Sequence, residues 1–237
     1  MYLLIDGGNT RTKVGCHDGQ QWLTRQAVDN GQLDTMALPE GFAPRRILIA
    51  NVGGPRSASQ IEAWLKPGGA HVEWLRGTAE RAGVRCDYKY PERLGADRWA
   101  IAIGAWHDLH RSCLLVSAGT ATTVDVVDDA GVFRGGCILP GLAMMKASLA
   151  AGTASLPLAE GMFQHVPRNT DDAIHSGCVN AQLGAIERMA RTLPTGAPII
   201  LAGGAAPALQ GHGVDFIDMP WLALDGLLAI ARSEAAK

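Results

Sequence analysis

The fold of this 237-residue chain is indicated by the stretch Asp6-Gly7-Gly8-Asn9-Thr10-Arg11-Thr12-Lys13, which follows the apolar run Tyr2-Leu3-Leu4-Ile5. A related stretch, Ser117-Ala118-Gly119-Thr120-Ala121-Thr122-Thr123-Val124-Asp125, follows the apolar run Leu114-Leu115-Val116. Each stretch leads into another apolar run that ends at a polar turn, so each predicts three strands joined by tight turns. Two such units predict a duplicated fold with two phosphate-binding turns facing each other across a cleft.

The composition is that of a soluble globular protein. The chain is 47% hydrophobic and 19% charged, with a formal net charge of −2 and only 5% aromatic residues, which disfavours a nucleic-acid partner. None of the five cysteines is spaced as C-x-x-C, so we expect neither a zinc site nor a disulfide framework. No signal peptide or membrane-spanning run is visible, and the expected location is the cytoplasm.

Hydrophobic periodicity predicts an α/β protein in which blocks of three strands are followed by helices. The predicted strands cover residues 2–6, 12–16, 21–26, 47–50, 72–75, 113–116, 122–127, 132–139 and 199–202. The predicted helices cover residues 57–65, 95–110, 142–151, 171–193 and 221–232. These blocks indicate two ribonuclease H-like layers, an N-terminal domain of residues 1–111 and a C-terminal domain of residues 112–237.

The stretch Asp6–Lys13 has the residue types of a phosphate site. Its paired glycines permit a sharp turn and close approach to an anion, while backbone N–H groups and threonine hydroxyls can point at phosphate oxygens. Asp6 can hold Mg²⁺ directly or through water, and Lys13 can neutralise phosphate charge. An ordinary hairpin explains this segment alone equally well.

The stretch Ser117–Thr123 is weaker evidence when taken alone, because only its hydroxyls and one glycine suggest an anion. Its pairing with the first stretch raises the weight of the phosphate interpretation. Gly203-Gly204, which follows a predicted buried strand, suits close approach to an adenine ring, although a plain turn is the commoner explanation.

Gly95-Ala96-Asp97-Arg98 opens a predicted helix. A carboxylate near a helix N-terminus is favoured in its charged form, so Asp97 is suited to accept a hydrogen bond from a substrate hydroxyl. Arg98 can bind a substrate carboxylate with two N–H groups. The alternative is a helix-start carboxylate beside a surface arginine, which the residues alone favour. His107 and His110 share one helix face, but no third metal ligand accompanies them.

Five motifs that follow one another along the chain are together specific for a family. They show that the chain resembles type III pantothenate kinases over essentially its whole length. These kinases belong to the superfamily of acetate and sugar kinases, heat-shock chaperones and actin, and some relatives are called Bvg accessory factors. The motifs are Asp6-x-Gly8-Asn9-Thr10-x-x-Lys13, Tyr88-x-x-Pro91-x-x-Leu94-Gly95-x-Asp97-Arg98, Gly119-Thr120-Ala121-Thr122-Thr123, Gly135-Gly136-x-Ile138-x-Pro140-Gly141 and Asn169-Thr170-x-x-Ala173-Ile174-x-Ser176-Gly177.

The resemblance implies a role for each matching residue. The resemblance implies that ATP is bound by Asp6, Gly7, Gly8, Asn9, Thr10, Arg11, Thr12, Lys13 and Thr120, with Asp6 near Mg²⁺. Pantothenate binding falls to Tyr88, Gly95, Ala96, Asp97, Arg98 and Thr170, with Asp97 as the catalytic base. Tyr90 remains an alternative to Tyr88 as the contact. The family usually forms homodimers, for which the face of Trp99 and Trp106 or the helix 142–151 offers an apolar surface, although burial in the core of one chain explains both equally well.

The chain departs from the family at Ser117. The second phosphate motif of the family commonly begins with Asp, whose carboxylate helps to bind a monovalent cation, K⁺ or NH₄⁺. A neutral hydroxyl is a poorer ligand for a cation, so the sequence leaves the cation requirement open.

The sequence therefore predicts an actin-like ATPase fold and ATP-dependent phosphorylation of pantothenate to 4′-phosphopantothenate, the first step of coenzyme A synthesis. Two alternatives remain at this point. One is a catalytically weak ATP-binding regulatory protein of the same fold, for which Ser117 leaves room. The other is a kinase of a different small hydroxylated metabolite.

Overall fold

The computed structural model describes residues 1–65 and 68–235 of the chain, and they form an α/β fold. The strands are β1 (Tyr2–Gly7), β2 (Arg11–His17), β3 (Trp22–Asp29), β4 (Arg46–Asn51), β5 (His71–Trp74), β6 (Glu80–Arg81), β7 (Val84–Cys86), β8 (Cys113–Ala118), β9 (Ala121–Val127), β10 (Val132–Pro140), β11 (Ile199–Ala202) and β12 (Phe216–Asp218). The α-helices are α1 (Gly54–Trp64), α2 (Ala96–Leu109), α3 (Leu142–Gly152), α4 (Thr170–Ala190) and α5 (Leu222–Ala235).

The first compact unit contains residues 1–111, residues 129–134 and the C-terminal segment from Trp221. Its main sheet has the order β3-β2-β1-β4-β5, in which β1 is antiparallel to β2 and parallel to β4. The small strand β7 pairs in parallel with Val132 and Phe133 at the start of β10. The core of the sheet consists of alternating apolar side chains such as Leu3, Ile5 and Ile47, all at most 1% exposed.

The second compact unit contains residues 112–128 and 135–220. Its strands follow the order β10-β9-β8-β11-β12, with β8 antiparallel to β9 and parallel to β11. This is the order of the first unit, with β8 in the place of β1, so the predicted duplication is present in the topology. The sequence predicts a domain boundary between residues 111 and 112, and that boundary stays a prediction.

Helix α2 is the central helix of the first unit. The spacing of Trp99, Ile103 and Trp106 at i, i+4 and i+7 predicts one apolar face for this helix. Nine of its residues from Ala96 to Ala105 are buried, so the helix is covered around most of its circumference. It packs on α5, where a Cβ at Gly226 would collide with the carbonyl oxygen of Ala100, so glycine is needed for the close approach. Because Trp99 and Ile103 are fully buried in this packing, the α2 face does not provide a free apolar surface.

Most predicted elements are confirmed, with shifts at their ends. Helix α1 starts three residues earlier than predicted, with Pro55 in its first turn, where a missing N–H costs nothing. Helix α4 is capped by Asn169, whose side-chain oxygen accepts a hydrogen bond from the Asp172 N–H at 2.8 Å. The sequence reasoning missed β6, β7 and β12, since strands of two or three residues are too short to show a period.

Candidate functional site

The first glycine-rich turn joins β1 to β2 in the first unit. The Gly8 N–H donates to the Arg11 carbonyl at 3.0 Å, and the strands pair Asp6 with Lys13. A Cβ at Gly7 would lie 2.8 Å from Asn51 Oδ1, so only glycine allows β4 and α1 to approach the base of the turn. Side chains of β4 and α1 therefore fill the space at the base of the turn, and the close approach to an anion that the paired glycines predict stays a prediction.

The tip and the base of this turn differ in exposure. Asn9, Thr10 and Arg11 are exposed at the tip, whereas Thr12 is 1% exposed. The Thr12 hydroxyl donates to the Asn30 side-chain oxygen at 2.8 Å. The buried Thr12 side chain thus stabilises the turn through this hydrogen bond to Asn30. The sequence analysis did not single out Asn30.

The carboxyl group of Asp6 has an unusual pKa. Burial raises it, Lys13 lowers it and the charge of Asp97 raises it, and the result is a pKa of about 6. Of the predicted residues, Asp6 and Lys13 are thus paired across β1 and β2, and the charge of Asp97 acts on Asp6 within the same unit. A hard divalent cation fits this donor chemistry, because it favours carboxylate oxygens and relieves the cost of keeping two carboxylates close.

Asp97 lies in the first turn of α2, where the N-cap residue Gly95 has no side chain to cap the helix. The Arg98 N–H donates to Asp97 Oδ1 at 2.8 Å, so the carboxylate is held at the positive end of the helix. A Cβ at Gly95 would lie 2.7 Å from the same oxygen. Glycine at 95 consequently leaves room for the carboxylate.

Arg98 is a buried residue, 6% exposed, and not the surface arginine of the blander interpretation. Its guanidinium carbon lies 5.6 Å from the ring centroid of Tyr88 and 5.7 Å from that of Phe133. Tyr90 is 46% exposed, with the Arg93 guanidinium 4.9 Å from its ring. Of the two tyrosines, Tyr88 is therefore the one that packs beside Arg98.

The second glycine-hydroxyl turn joins β8 to β9 in the second unit. The Gly119 N–H donates to the Ala121 carbonyl at 3.0 Å, and Thr120 is exposed at the tip. The Gly141 N–H donates to the Thr120 carbonyl at 2.9 Å. Ser117 is half-buried and pairs with Thr123 across the hairpin. This turn carries hydroxyl groups where the first turn carries charges.

Gly203 packs against the same turn. Its φ is +100°, and a Cβ there would collide with the Ala118 carbonyl, which also accepts a hydrogen bond from the Ala205 N–H at 2.9 Å. Gly204 has open space around its Cα. Close packing of backbone on backbone is therefore sufficient to explain Gly203.

Thr170, the remaining predicted substrate residue, is the exposed first residue of α4. It lines a cavity of about 920 Å³ in the second unit, together with Asn169, Met145 and Leu149. A cavity of this size and mixed lining accommodates a small polar metabolite.

Other features of the described residues have structural explanations. His107 Nε2 lies 2.7 Å from the Ala82 carbonyl, and no group of three His, Cys, Asp or Glu residues in the described ranges has the arrangement of a metal centre. All five cysteines are free thiols. None of the helices within residues 1–65 and 68–235 is long and apolar enough to cross a bilayer.

The duplicated sheet with two turns defines the class of protein. The chain superimposes with a TM-score of 0.67 on a Baf family protein from Campylobacter jejuni, described as a transcriptional activator, at 20% identity and covering 99% of this chain and 100% of that one. It also superimposes with a TM-score of 0.61 on a protein described as a 2-dehydro-3-deoxygalactonokinase from Sinorhizobium meliloti, at 16% identity and 99% coverage of both. The fold is the duplicated ribonuclease H-like fold of sugar kinases and actin-like ATPases.

Sequence comparison then gives the family. A family model described as Type III pantothenate kinase matches residues 2–192. The chain is 48% identical to a Type III pantothenate kinase of Aromatoleum aromaticum, and the match covers 100% of both chains. The chain belongs to the type III pantothenate kinase family.

Proposed function

We infer that this protein is a pantothenate kinase, which transfers the γ-phosphoryl group of ATP to pantothenate and yields 4′-phosphopantothenate for coenzyme A synthesis. The observation that carries the inference is the full-length match to a family of that activity, with 48% identity to one member. The pairing of Asp6 with Lys13 across β1 and β2 supports the inference, because it sets a carboxylate and an ammonium group beside the first turn.

We assign the β1–β2 turn to the phosphates of ATP. Its N–H groups and the ammonium group of Lys13 stabilise negative charge on the phosphoryl group during transfer. Lys13 Nζ lies 6.0 Å from the ring centroid of Trp221, at the outer limit of a cation–π contact. Thr120 contributes from the second turn in this assignment.

We assign proton removal to Asp97. Its carboxylate accepts the proton of the primary hydroxyl of pantothenate while that oxygen bonds to the γ-phosphorus and the bond to the leaving oxygen of ADP breaks. Positioning of these atoms dominates in such a loose transition state. Gly95, Ala96 and Arg98 surround the same helix start, and Tyr88 and Thr170 complete the proposed pantothenate contacts.

A kinase of this family uses ATP together with a divalent metal, which we propose to be Mg²⁺. Asp6 is the residue that would hold it, directly or through water, and the bound ion neutralises phosphate charge. A site for K⁺ or NH₄⁺ at Ser117 lacks the carboxylate that the family motif supplies. We therefore propose that this chain depends little on the monovalent cation.

We also propose a cytoplasmic homodimer formed through the second unit. Several large apolar side chains there are exposed to solvent, which is costly for an isolated chain. They are Ile138, Met144, Leu149, Leu158, Met162 and Val166. Helix α3, predicted as a dimer surface, contributes two of them. Light scattering of the purified protein measures the mass, and Val166→Glu with Ile138→Glu should shift a dimer toward monomer.

Coupled release of ADP tests the activity. The assay contains ATP, Mg²⁺ and pantothenate, first with Na⁺ and then with K⁺ or NH₄⁺, and a matched series omits pantothenate. We expect pantothenate-dependent turnover at similar rates in all three salts. Turnover only with another hydroxylated acid would mean that this acid, and not pantothenate, is the substrate. Absence of turnover in every salt would favour a regulatory ATP-binding protein.

A further inference from the structure

Asn30 holds the β1–β2 turn by four hydrogen bonds. Its side-chain amide nitrogen donates to the carbonyls of Gly8 at 2.9 Å and Asn9 at 3.0 Å, and its backbone N–H donates to the Thr10 carbonyl at 3.0 Å. Its side-chain oxygen accepts from the Thr12 hydroxyl at 2.8 Å. The orientation of the amide follows from this chemistry, since the reverse would place its oxygen against two carbonyl oxygens.

These bonds determine which way the peptide groups of the turn face. In a trans peptide the C=O and the following N–H point in opposite directions. Three successive carbonyls, those of Gly8, Asn9 and Thr10, point at Asn30. The next N–H groups along the chain, those of Asn9, Thr10 and Arg11, therefore point away from Asn30, and the residues that carry them are exposed. Successive N–H groups on one side of a turn form an anion-binding concavity.

We propose that Asn30 is a positioning residue for ATP. Asn30 fixes the peptide planes of the β1–β2 turn so that the N–H groups of the turn face the phosphates. The proposal rests on the assignment of this turn to ATP. Asn30 is the first residue of the short 3₁₀ turn Asn30–Thr35. The Leu33 side chain of this turn is 3% exposed in the core of the first unit, so it anchors the segment that carries Asn30. The sequence separation of 22 residues from Gly8 explains why local motifs do not show it.

Asn30→Asp is the sharpest test, because it keeps the shape and the acceptor for Thr12 but removes the two donors. We expect kcat/KM for ATP to fall about tenfold or more, which corresponds to the loss of two hydrogen bonds. The KM for pantothenate should stay within about twofold. Binding of ADP, measured by calorimetry, should weaken in the same way, whereas binding of adenosine should not.

Gln32→Ala is the matched control, since it removes an exposed amide side chain from the same 3₁₀ turn and should leave all parameters unchanged. Lys13→Met tests the assignment of the turn to ATP independently of Asn30. If Lys13→Met weakens ADP binding and Asn30→Asp does not, the proposed positioning role of Asn30 is wrong, while the assignment of the β1–β2 turn to ATP is retained. If neither variant changes ADP binding, the assignment of the turn itself is wrong. Should Asn30→Asp fail to fold, Asn30→Ser is judged by the same criteria.

Discussion

The two glycine-rich turns of this protein occupy equivalent places in the two sheets, yet they are held in different ways. The first is flanked by Asp6 and Lys13 and is braced by a side chain, that of Asn30. The second carries hydroxyl groups and is braced by main-chain contacts, in which Gly141 donates to Thr120 and Ala205 donates to Ala118. The same strand order therefore supports one turn built on charge and side-chain amides and another built on backbone packing.

The two units also differ in the polar contacts of their side chains. In the first unit, Glu73 and Glu234 form a partly buried network of ion pairs with Arg46 and Arg81. Arg46 pairs with Tyr2, so this network lies at the end of β1 opposite the turn. In the second unit, a buried side-chain hydrogen bond beside the turn joins the Thr122 hydroxyl to the Gln182 oxygen at 2.8 Å. We therefore expect charge changes to act on the first region and volume changes to act on the second.

The largest expected effect comes from the carboxylate of Asp97. Asp97→Asn keeps the shape but removes the proton acceptor, so kcat should fall by about 10²–10⁴-fold while the KM for ATP changes little. Coupled ADP release measures both parameters. Asp108→Asn, an exposed position near the end of the same helix, is the control. Near-normal turnover of Asp97→Asn would remove Asp97 from this role.

The next effect tests backbone packing at the second turn. Gly203→Ala places a Cβ against the Ala118 carbonyl at a φ of +100°, so it should lower the free energy of unfolding by about 3 kcal/mol. Gly204→Ala adds the same methyl group in open space and should change that free energy by less than about 0.5 kcal/mol. Urea unfolding followed by circular dichroism measures both. Equal stabilities of the two variants would contradict the packing account.

A smaller effect, dependent on pH, should follow from the ion pairs of the first unit. Burial raises the pKa of Glu73, but hydrogen bonds from Arg46 and Arg81 outweigh it, and the pKa ends below its ordinary value of 4.5. A carboxyl group with a depressed folded-state pKa stabilises the protein above its unfolded pKa, and this contribution is lost as the pH falls through the folded pKa.

Glu73→Gln should therefore lower the free energy of unfolding by about 2 kcal/mol at pH 7. The difference from the natural chain should shrink steadily below about pH 5, as the natural carboxylate becomes protonated. Urea titrations at several pH values provide the measurement, with the exposed Glu40→Gln as the control. A difference that is independent of pH would show that the ion pairs do not account for the stability.

The smallest effect concerns the missing charge of the second turn. Ser117→Asp introduces a carboxylate at the position where the family motif commonly has one, so turnover in K⁺ relative to Na⁺ should rise about fivefold, equivalent to about 1 kcal/mol. Ser117→Asn has a similar shape without the charge and should leave that ratio unchanged. An equal response of both variants would mean that the charge at 117 is not what binds the cation.

The sequence predicted the parts of this fold that depend on local pattern. Apolar runs on both sides of the turns predicted β1, β2, β8 and β9, and the repeated turn motif predicted the duplication that the matching strand orders display. The short strands β6 and β7 could not be predicted, because two or three residues show no period and β7 pairs with Val132 and Phe133, far along the chain. Helix α2 was predicted with one buried face, but α5, more than a hundred residues away, covers another part of its surface.

The candidate site divides in the same manner. Asp6, Lys13 and Asp97 were identified as chemical groups from their motifs, whereas their mutual influence on the pKa of Asp6 required the folded chain. The choice between Tyr88 and Tyr90 was open in the sequence, and packing places Tyr88 beside Arg98. Asn30 belongs to no local motif, so the sequence offered no signal for it.

The sequence by itself determined the family, the duplicated order of strands and the residues that carry charge, because these follow from residue type and from spacing along the chain. Only the tertiary structure decided that Asn30 orients the first turn, that Gly203 packs against the second and that Arg98 is buried between aromatic rings. Each of these depends on atoms that are far apart in sequence and within a few ångströms in space, and a one-dimensional pattern does not encode that distance.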